Sequence, residues 1–285
     1  MDLLAHTHTI RFPRLPMVMG ILNLGPDSFS GDGIVDLDLA TRRARQMAEA
    51  GADILDIGAE SARTNRKAIS EQEEIDQLIG FIQNWQKASE ALDKAQPILL
   101  SINTWRPSVA RAVLAEGGDI LNDIGALPTD ENARICAATG AALLIMHSIG
   151  EPKIPHTHVQ YENVMDQMEG FFEEKIALAI AAGLLCDCLI LDPGIDFAKQ
   201  RADSLMVYNQ LARLQKFQRP ILLPVSRKTV IGEVLGIEQP QERDAGTIGC
   251  IASGMIRGAS IFRVHNVEAA VQSIKMLWPL TCPNL

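Results

Sequence analysis

Eight short apolar runs punctuate the chain, each followed by a stretch long enough for one helix. They span Val18–Leu24, Ala52–Ala59, Pro97–Asn103, Asp119–Ile124, Ala141–Ser148, Cys188–Gly194, Ile221–Lys228 and Ala259–His265. Each is rich in Ile, Leu or Val and apolar on both faces, as a parallel strand covered on both sides must be. The segments between them are amphipathic. In DLDLATRRARQMAEAG, Leu39, Ala40, Ala44, Met47 and Ala48 share one helical face, and Gly51 supplies the stop. The stretches EQEEIDQLIGFIQNWQ, RPSVARAVLAEGG, ENARICAATG, MDQMEGFFEEKIALAIAAG, SLMVYNQLARLQKF, AGTIGCIASGMIRG and VEAAVQSIKMLW repeat the pattern, and five of the eight helical segments end in Gly. Eight βα units with right-handed crossovers predict an α/β fold, the (β/α)8 TIM barrel, for which 285 residues is an ordinary length. A doubly wound open sheet is the alternative. No Pro/Gly/Ser-rich linker interrupts the alternation, so residues 1–285 read as one domain.

Charge and composition narrow the partners. A net charge of −9 argues against nucleic acid or an anionic membrane as the main partner, although a basic cluster could still hold a small anion. Five cysteines point to free thiols in a reducing, cytoplasmic setting. Cys186 and Cys188 form a C-x-C, but no second pair or nearby histidine completes a zinc set. The first residues lack the basic and apolar regions of a secretory signal, and no apolar run approaches the roughly 20 residues of a membrane helix. The H-x-H pairs His6/His8 and His156/His158 read as exposed loop residues.

A barrel places its chemistry at the C-terminal ends of its strands. The run ends here carry Asn23, Asp56 and Glu60, Asn103, Asn122 and Asp123, His147, Asp192, Ser226-Arg227-Lys228, and Arg263 with His265. One such residue could merely cap a helix, but polar groups at all eight ends describe a polar mouth. Arg63, Lys228, Arg263 and His265 are cationic groups suited to a phosphate or pyrophosphate. Asn103, Asn122 and Asp192 pair donors with acceptors on rigid strand ends, as a flat heterocycle with several ring nitrogens requires. No HExxH, Walker loop, GxGxxG or Ser-His-Asp pattern competes. The residues alone therefore describe a barrel that binds a polar ring attached to a phosphate-like group.

Several of these segments resemble the dihydropteroate synthases of folate biosynthesis. MGILNLGPDSF is similar to that family's first-strand signature and ADILDIGAESAR to its second. SINTWRPSVARAVLAEGGDILNDI, LILDPGIDFAK, VSRKTVIG and FRVHNV follow in the family's order, from about Val18 to Trp278. The resemblance implies a Mg²⁺-assisted transferase that condenses 6-hydroxymethyl-7,8-dihydropterin diphosphate with p-aminobenzoate and releases pyrophosphate. It implies that Asn23 contacts the Mg²⁺–pyrophosphate, that Arg63, Arg263 and His265 clamp the pyrophosphate, and that Asn122, Asp192 and Lys228 read the pterin. It further implies that Asn103 stands at a pterin contact, that Phe29 and Phe197 lie near the aryl amine, and that Ser226 touches it. A homodimer built through helices on the far side of the barrel is also implied.

The chain departs from the family pattern at Gly25 (usually Thr), Ala59 (Gly), Ala62 (Thr), Thr64-Asn65 (Pro-Gly), Asn103 (Asp), Asp196 and Ala198 (both Gly) and Pro224 (Gly). An amide at position 103 cannot supply charge to a developing cation, a loss of about 1.5–3 kcal/mol where nothing compensates. Three readings follow: a dihydropteroate synthase, a pterin-binding paralogue with a different second substrate or reaction, or a pterin-binding protein without catalysis.

Overall fold

The computed structural model describes residues 1–25, 33–34, 36–60, 68–92, 97–154 and 158–281. Eight parallel strands form the central sheet: β3 (Met17–Asn23), β4 (Ile54–Gly58), β5 (Leu99–Asn103), β6 (Ile120–Asp123), β7 (Ala142–Met146), β8 (Leu189–Asp192), β9 (Leu222–Pro224) and β10 (Ile261–Val264). Strand β3 pairs with both β4 and β10, and a Leu191–Ile221 bridge joins β8 to β9. The sheet thus curls back on itself, which excludes the doubly wound alternative. Seven strands lie inside their expected runs, and β3 starts one residue before its run, at Met17. The chain begins with an antiparallel hairpin that the periodicity did not reveal, β1 (Asp2–Ala5) and β2 (His8–Arg11).

Nine α-helices alternate with the strands among the described residues: α1 (Leu37–Glu49), α2 (Glu71–Ser89), α3 (Pro107–Glu116), α4 (Glu131–Thr139), α5 (Val164–Ala181), α6 (Arg201–Gln210), α7 (Thr229–Leu235), α8 (Asp244–Ile256) and α9 (Val267–Thr281). Their starts are chemically marked. Asp36 accepts from the Asp38 and Leu39 amides to cap α1, and Ser70 accepts from Glu73 N to cap α2. Gly140 and Gly236 close α4 and α7 in the left-handed conformation that glycine adopts without steric cost. Two expectations need correction. Leu39 faces solvent although Ala40, Ala44 and Ala48 are buried as the face requires. The segment after Gln210 continues as a 3-10 helix, Leu211–Phe217, and not as α-helix.

Strand periodicity sorts the apolar residues into two cores. Odd or even alternates such as Leu55, Ile57, Leu100, Leu121, Leu143, Leu191 and Phe262 pack outward against the helices. Met17, Met19, Ile54, Leu99, Ile120, Leu144, Ile190, Leu222 and Ile261 fill the barrel, together with Leu3, Ala5, Ile10 and Phe12 of the hairpin. The hairpin therefore plugs the N-terminal end. His6 N donates to Gly140 O just before β7, and His6 and His8 approach Asp119 at 3.9 and 3.8 Å just before β6. His8 thus belongs to a strand rather than a loop. With one end closed by apolar side chains, only the C-terminal end can hold a polar ligand.

Candidate active site

The same alternation that sends Ile54, Leu99, Ile120, Ile190 and Ile261 into the barrel sends the residues two places on to the same face, nearer the mouth. These are Asp56, Ser101, Asn122, Asp192 and Arg263, with Asn103 and Asn23 a further step along their strands. Asp123 has the opposite parity. Its carboxylate accepts from Asn132 Nδ2 on α4 at 2.9 Å and from Gly125 N at 2.8 Å, so it fixes a turn outside the mouth.

Asp56 joins this polar layer together. It is 1% exposed. Its Oδ1 accepts from Ser101 Oγ at 2.6 Å and Asn122 Nδ2 at 3.0 Å. Its Oδ2 accepts from Arg263 Nε and Nη2, both at 2.7 Å, and at 3.5 Å from Asn103 Nδ2. One carboxylate thus holds side chains from β5, β6 and β10. Asn122 Oδ1 is buried and meets no donor among the described residues. A buried acceptor left open costs roughly 1–3 kcal/mol, which a bound N–H would recover.

Asp192 lies in the same layer, with Oδ1 accepting from Gly194 N at 2.7 Å. Burial pushes its carboxyl up to about 6, against the pull of Lys228, Arg263 and Lys199. Gly194 is required here: its φ is +62°, and a Cβ would stand 2.0 Å from the His147 carbonyl oxygen. Lys228 Nζ donates to Ile195 O at 2.9 Å and lies 5.1 Å from the Phe197 ring centroid. Ser226 Oγ accepts from His265 N at 3.1 Å and contacts His265 Nδ1 at 2.8 Å. The hydroxyl thus ties both the backbone and the ring of His265, with the donor of the Nδ1 contact set by the imidazole tautomer. Arg63 and Phe29, along with Ala62, Thr64 and Asn65, lie outside the described residues. Asn23 stands at the end of β3.

Sequence reasoning assigned no role to two groups next to the site. Lys199 is buried, and its Nζ reaches His147 Nδ1 at 2.8 Å, Gly194 O at 3.0 Å, Phe197 O at 3.1 Å and His147 O at 3.2 Å. Burial lowers its pKa to about 7, and burial beside Lys199 lowers that of His147 to about 2, so the imidazole is neutral. The lysine laces the turn that carries Phe197 to the end of β7. Its only signal was its place at the end of LILDPGIDFAK. The second group is Arg106, which contacts Glu60 Oε2 at 2.6 Å and Glu74 Oε2, while Nη2 donates to Ile69 O at 3.2 Å. Lys153 Nζ meets the other Glu60 oxygen at 2.7 Å. Arg106 thus ties Glu60, which ends one described stretch, to Ile69, near the start of the next.

Residues 19–265 match the family model described as pterin binding enzyme. A dihydropteroate synthase of Synechocystis sp. is 38% identical over 266 residues, covering 92% of this chain and 90% of the relative. That of Escherichia coli K12 is 34% identical over the same shares. The chain belongs to the dihydropteroate synthase family. Among solved members, the Yersinia pestis dihydropteroate synthase with a sulfonamide drug complex superposes with a TM-score of 0.88 at 34% identity, covering 98% of each chain. The Xanthomonas albilineans enzyme in complex with 7,8-dihydropteroate gives 0.84 at 32% identity and 99% of each chain.

Membership in the dihydropteroate synthase family lets the departures be read physically. A Cβ at Gly25 would lie 2.9 Å from the Ala59 carbonyl oxygen, closer than such atoms approach. Glycine here follows from the close approach of the first and second strand ends, and the missing hydroxyl is a packing consequence. Asp196 and Ala198, where the family pattern has Gly, have φ of +68° and +48°. Asp196 offsets that strain by accepting from Thr229 N at 2.5 Å and Val230 N at 3.2 Å at the start of α7. Asn103 stands beside Asp56, and a carboxylate at 103 would put two like charges side by side. Nothing in the structure explains Pro224, which ends β9.

Proposed function

We propose that the chain catalyses the dihydropteroate synthase reaction, in which the amine of p-aminobenzoate displaces diphosphate from 6-hydroxymethyl-7,8-dihydropterin diphosphate. The carrying observation is the open acceptor Asn122 Oδ1 in a layer that also holds the Asp192 carboxylate and the Arg263 guanidinium. Two acceptors suit the N–H-rich edge of a pterin. A cation beside them suits the leaving diphosphate.

In this reading the C–O bond to diphosphate breaks as the C–N bond to the aryl amine forms, and the amine sheds a proton. Arg263, His265 and Arg63 receive the negative charge that moves onto pyrophosphate. Asn122, Asp192 and Lys228 hold the ring, and the carboxylates of Asp192 and Asp56 face the positive charge it develops. Asn103 supports this edge through Asp56. Phe197, set beneath Lys228, flanks the aryl amine with Phe29, and Ser226 orients His265 beside that pocket.

Mg²⁺ fits this donor set as an ion carried by the diphosphate. Among the described residues no group of three His, Cys, Asp or Glu side chains could cage a metal, and Mg²⁺ commonly takes one or two protein oxygens plus phosphates and water. Asn23 would hold it through its amide oxygen, and the ion would neutralise charge on the leaving group. Exposed Ile256, Met276 and Leu280 on α8 and α9 support a homodimer through the outer helices. The net charge of −9 argues against nucleic acid as a partner. Free Cys136, Cys186, Cys188 and Cys250 support the cytoplasm, and no helix of the described residues is long and apolar enough to cross a membrane.

Incubation with the pterin diphosphate, p-aminobenzoate and Mg²⁺ should yield 7,8-dihydropteroate and pyrophosphate by mass spectrometry. Pterin binding with no product would instead support a paralogue with another acceptor or a binding protein. A second expectation concerns pH. Asp192 must be ionised to accept from the ring, and its folded-state value of about 6 lies above the ordinary carboxylate range. Dihydropterin affinity should therefore rise as pH climbs through about 6 and level off above it. For the empty protein the sign is opposite: the folded state holds this proton more tightly, so Asp192's contribution to stability declines over pH 4–6. Titrations of dihydropterin fluorescence from pH 5 to 8 check this. The same inflection in Asp192→Asn would assign it elsewhere, for example to Asp123, which also lies at about 6.

A further inference from the structure

We propose that Asp56 is a positioning residue that fixes which way round Asn122 stands, and through it selects rings that present an N–H to this strand end. The inference rests on the pterin reading of the site but concerns a residue whose work is done without touching the ring.

The orientation follows from valence. An ionised carboxylate has only lone pairs to offer, so the amide end turned toward Asp56 Oδ1 at 3.0 Å must be the NH₂. Rotating the amide by half a turn would set its oxygen against that carboxylate oxygen, replacing a charge-assisted bond with repulsion. Asp56 cannot swing away to relieve this. Ser101 Oγ holds the same oxygen at 2.6 Å, and Arg263 holds the other through two nitrogens at 2.7 Å. Asn122 Oδ1 is thereby committed as an acceptor, buried and with no donor among the described residues. An amide without this restraint would accept an N–H or donate to a carbonyl with equal ease. Asp56 removes that ambiguity, so a ring that brings a carbonyl or a methyl to Asn122 meets a lone pair it cannot satisfy. Arg263 balances the buried charge that makes the restraint possible. The arrangement also gives Asn103 a function: its amide can donate to Asp56, whereas a second carboxylate there would compete for Arg263.

The test compares binding of 7,8-dihydropterin with 7,8-dihydrolumazine, in which a carbonyl replaces the 2-amino group, and with 3-methyl-7,8-dihydropterin. Wild type should prefer the dihydropterin over both. In Asp56→Asn, preference over at least one analogue should shrink by roughly tenfold, the scale of one unsatisfied buried polar group. Adding Asn122→Leu to Asp56→Asn should shrink it little further, since both changes act through one amide. Unchanged preferences in Asp56→Asn, or additive losses in the double variant, overturn the proposal. Should Asp56→Asn fail to fold, the wild-type protein still decides. Its Asn122 side-chain NH₂, assigned in ¹⁵N spectra by its loss in Asn122→Leu, should be protected from hydrogen exchange, and rapid exchange overturns the proposal. Absence of any dihydropterin binding by wild type defeats the functional reading instead, and the exchange measurement then judges the restraint alone.

Discussion

Replacing Arg106 by methionine should lower the unfolding free energy by about 3–5 kcal/mol at pH 8, the usual consequence of stranding buried charge. Of its two acidic partners, Glu74 has no other ion-pair partner among the described residues. The Glu60 and Glu74 side chains are 1% and 0% exposed. Burial already pushes the Glu74 carboxyl above its ordinary range, with Thr104 and Arg106 pulling it back. Methionine fills much of the arginine's volume, so the deficit measures charge and hydrogen bonding rather than a cavity. Lys153 still reaches Glu60, which leaves Glu74 as the main orphan. The sign of the pH dependence follows. Without Arg106 the folded state binds protons at Glu74 more tightly than the unfolded chain does, so protonation at low pH relieves the variant. The deficit should be smaller at pH 5 than at pH 8 in urea denaturation. A loss below about 1 kcal/mol at pH 8 would mean the cluster is solvated like a surface pair. Because Arg106 also holds Ile69 O, the variant should bind the pterin diphosphate more weakly while binding of dihydropterin alone changes little.

Legibility from sequence depended on whether a feature was local. Period and run length locate all eight barrel strands, and the rule that chemistry sits at strand ends points to Asn103, Asn122, Asp192, Lys228 and Arg263 as candidates. The parity that turns Asn122 inward and Asp123 outward was available too, once Ile120 was known to face the barrel. Asp56 was named as a strand-end residue, but its partners were not legible. Arg263 lies 207 positions away, and β4 and β10 come together only because both flank β3. The hairpin escaped because two four-residue strands with a polar outer face show too little alternation to register. Helix α7 escaped because the run read as Ile221–Lys228 shortens to a three-residue strand, leaving room for a seven-residue helix after it. Gly25 shows the opposite limit. The residue was conspicuous from the start, but its reason, a carbonyl 2.9 Å from where a Cβ would stand, belongs to another strand end.

Arg263→Lys should reduce kcat/KM for dihydropteroate formation by about 10²- to 10³-fold, the range seen when a donor aimed at developing charge is lost. Arginine's planar fork lets one edge stay on Asp56 while the remaining N–H groups face elsewhere. Here Nε and Nη2 both serve Asp56 Oδ2 at 2.7 Å. A lysine ammonium has three donors on a flexible stem and one point of charge. It can neutralise Asp56 or follow the leaving diphosphate, but it cannot hold both in fixed geometry. Asp56, 1% exposed, binds whichever cation is present more strongly than solvent does. The lysine should therefore remain with Asp56, and the diphosphate should lose its partner. Stability should change little, because the buried carboxylate keeps a cation, whereas Arg263→Ala strands it and should unfold at lower urea. Product inhibition separates the two duties: inorganic pyrophosphate should inhibit the lysine variant far less than wild type, while dihydropterin affinity stays within about threefold. A kcat/KM close to wild type, or equal inhibition by pyrophosphate, would show that Arg263 serves the fold through Asp56 and takes no part in leaving-group departure.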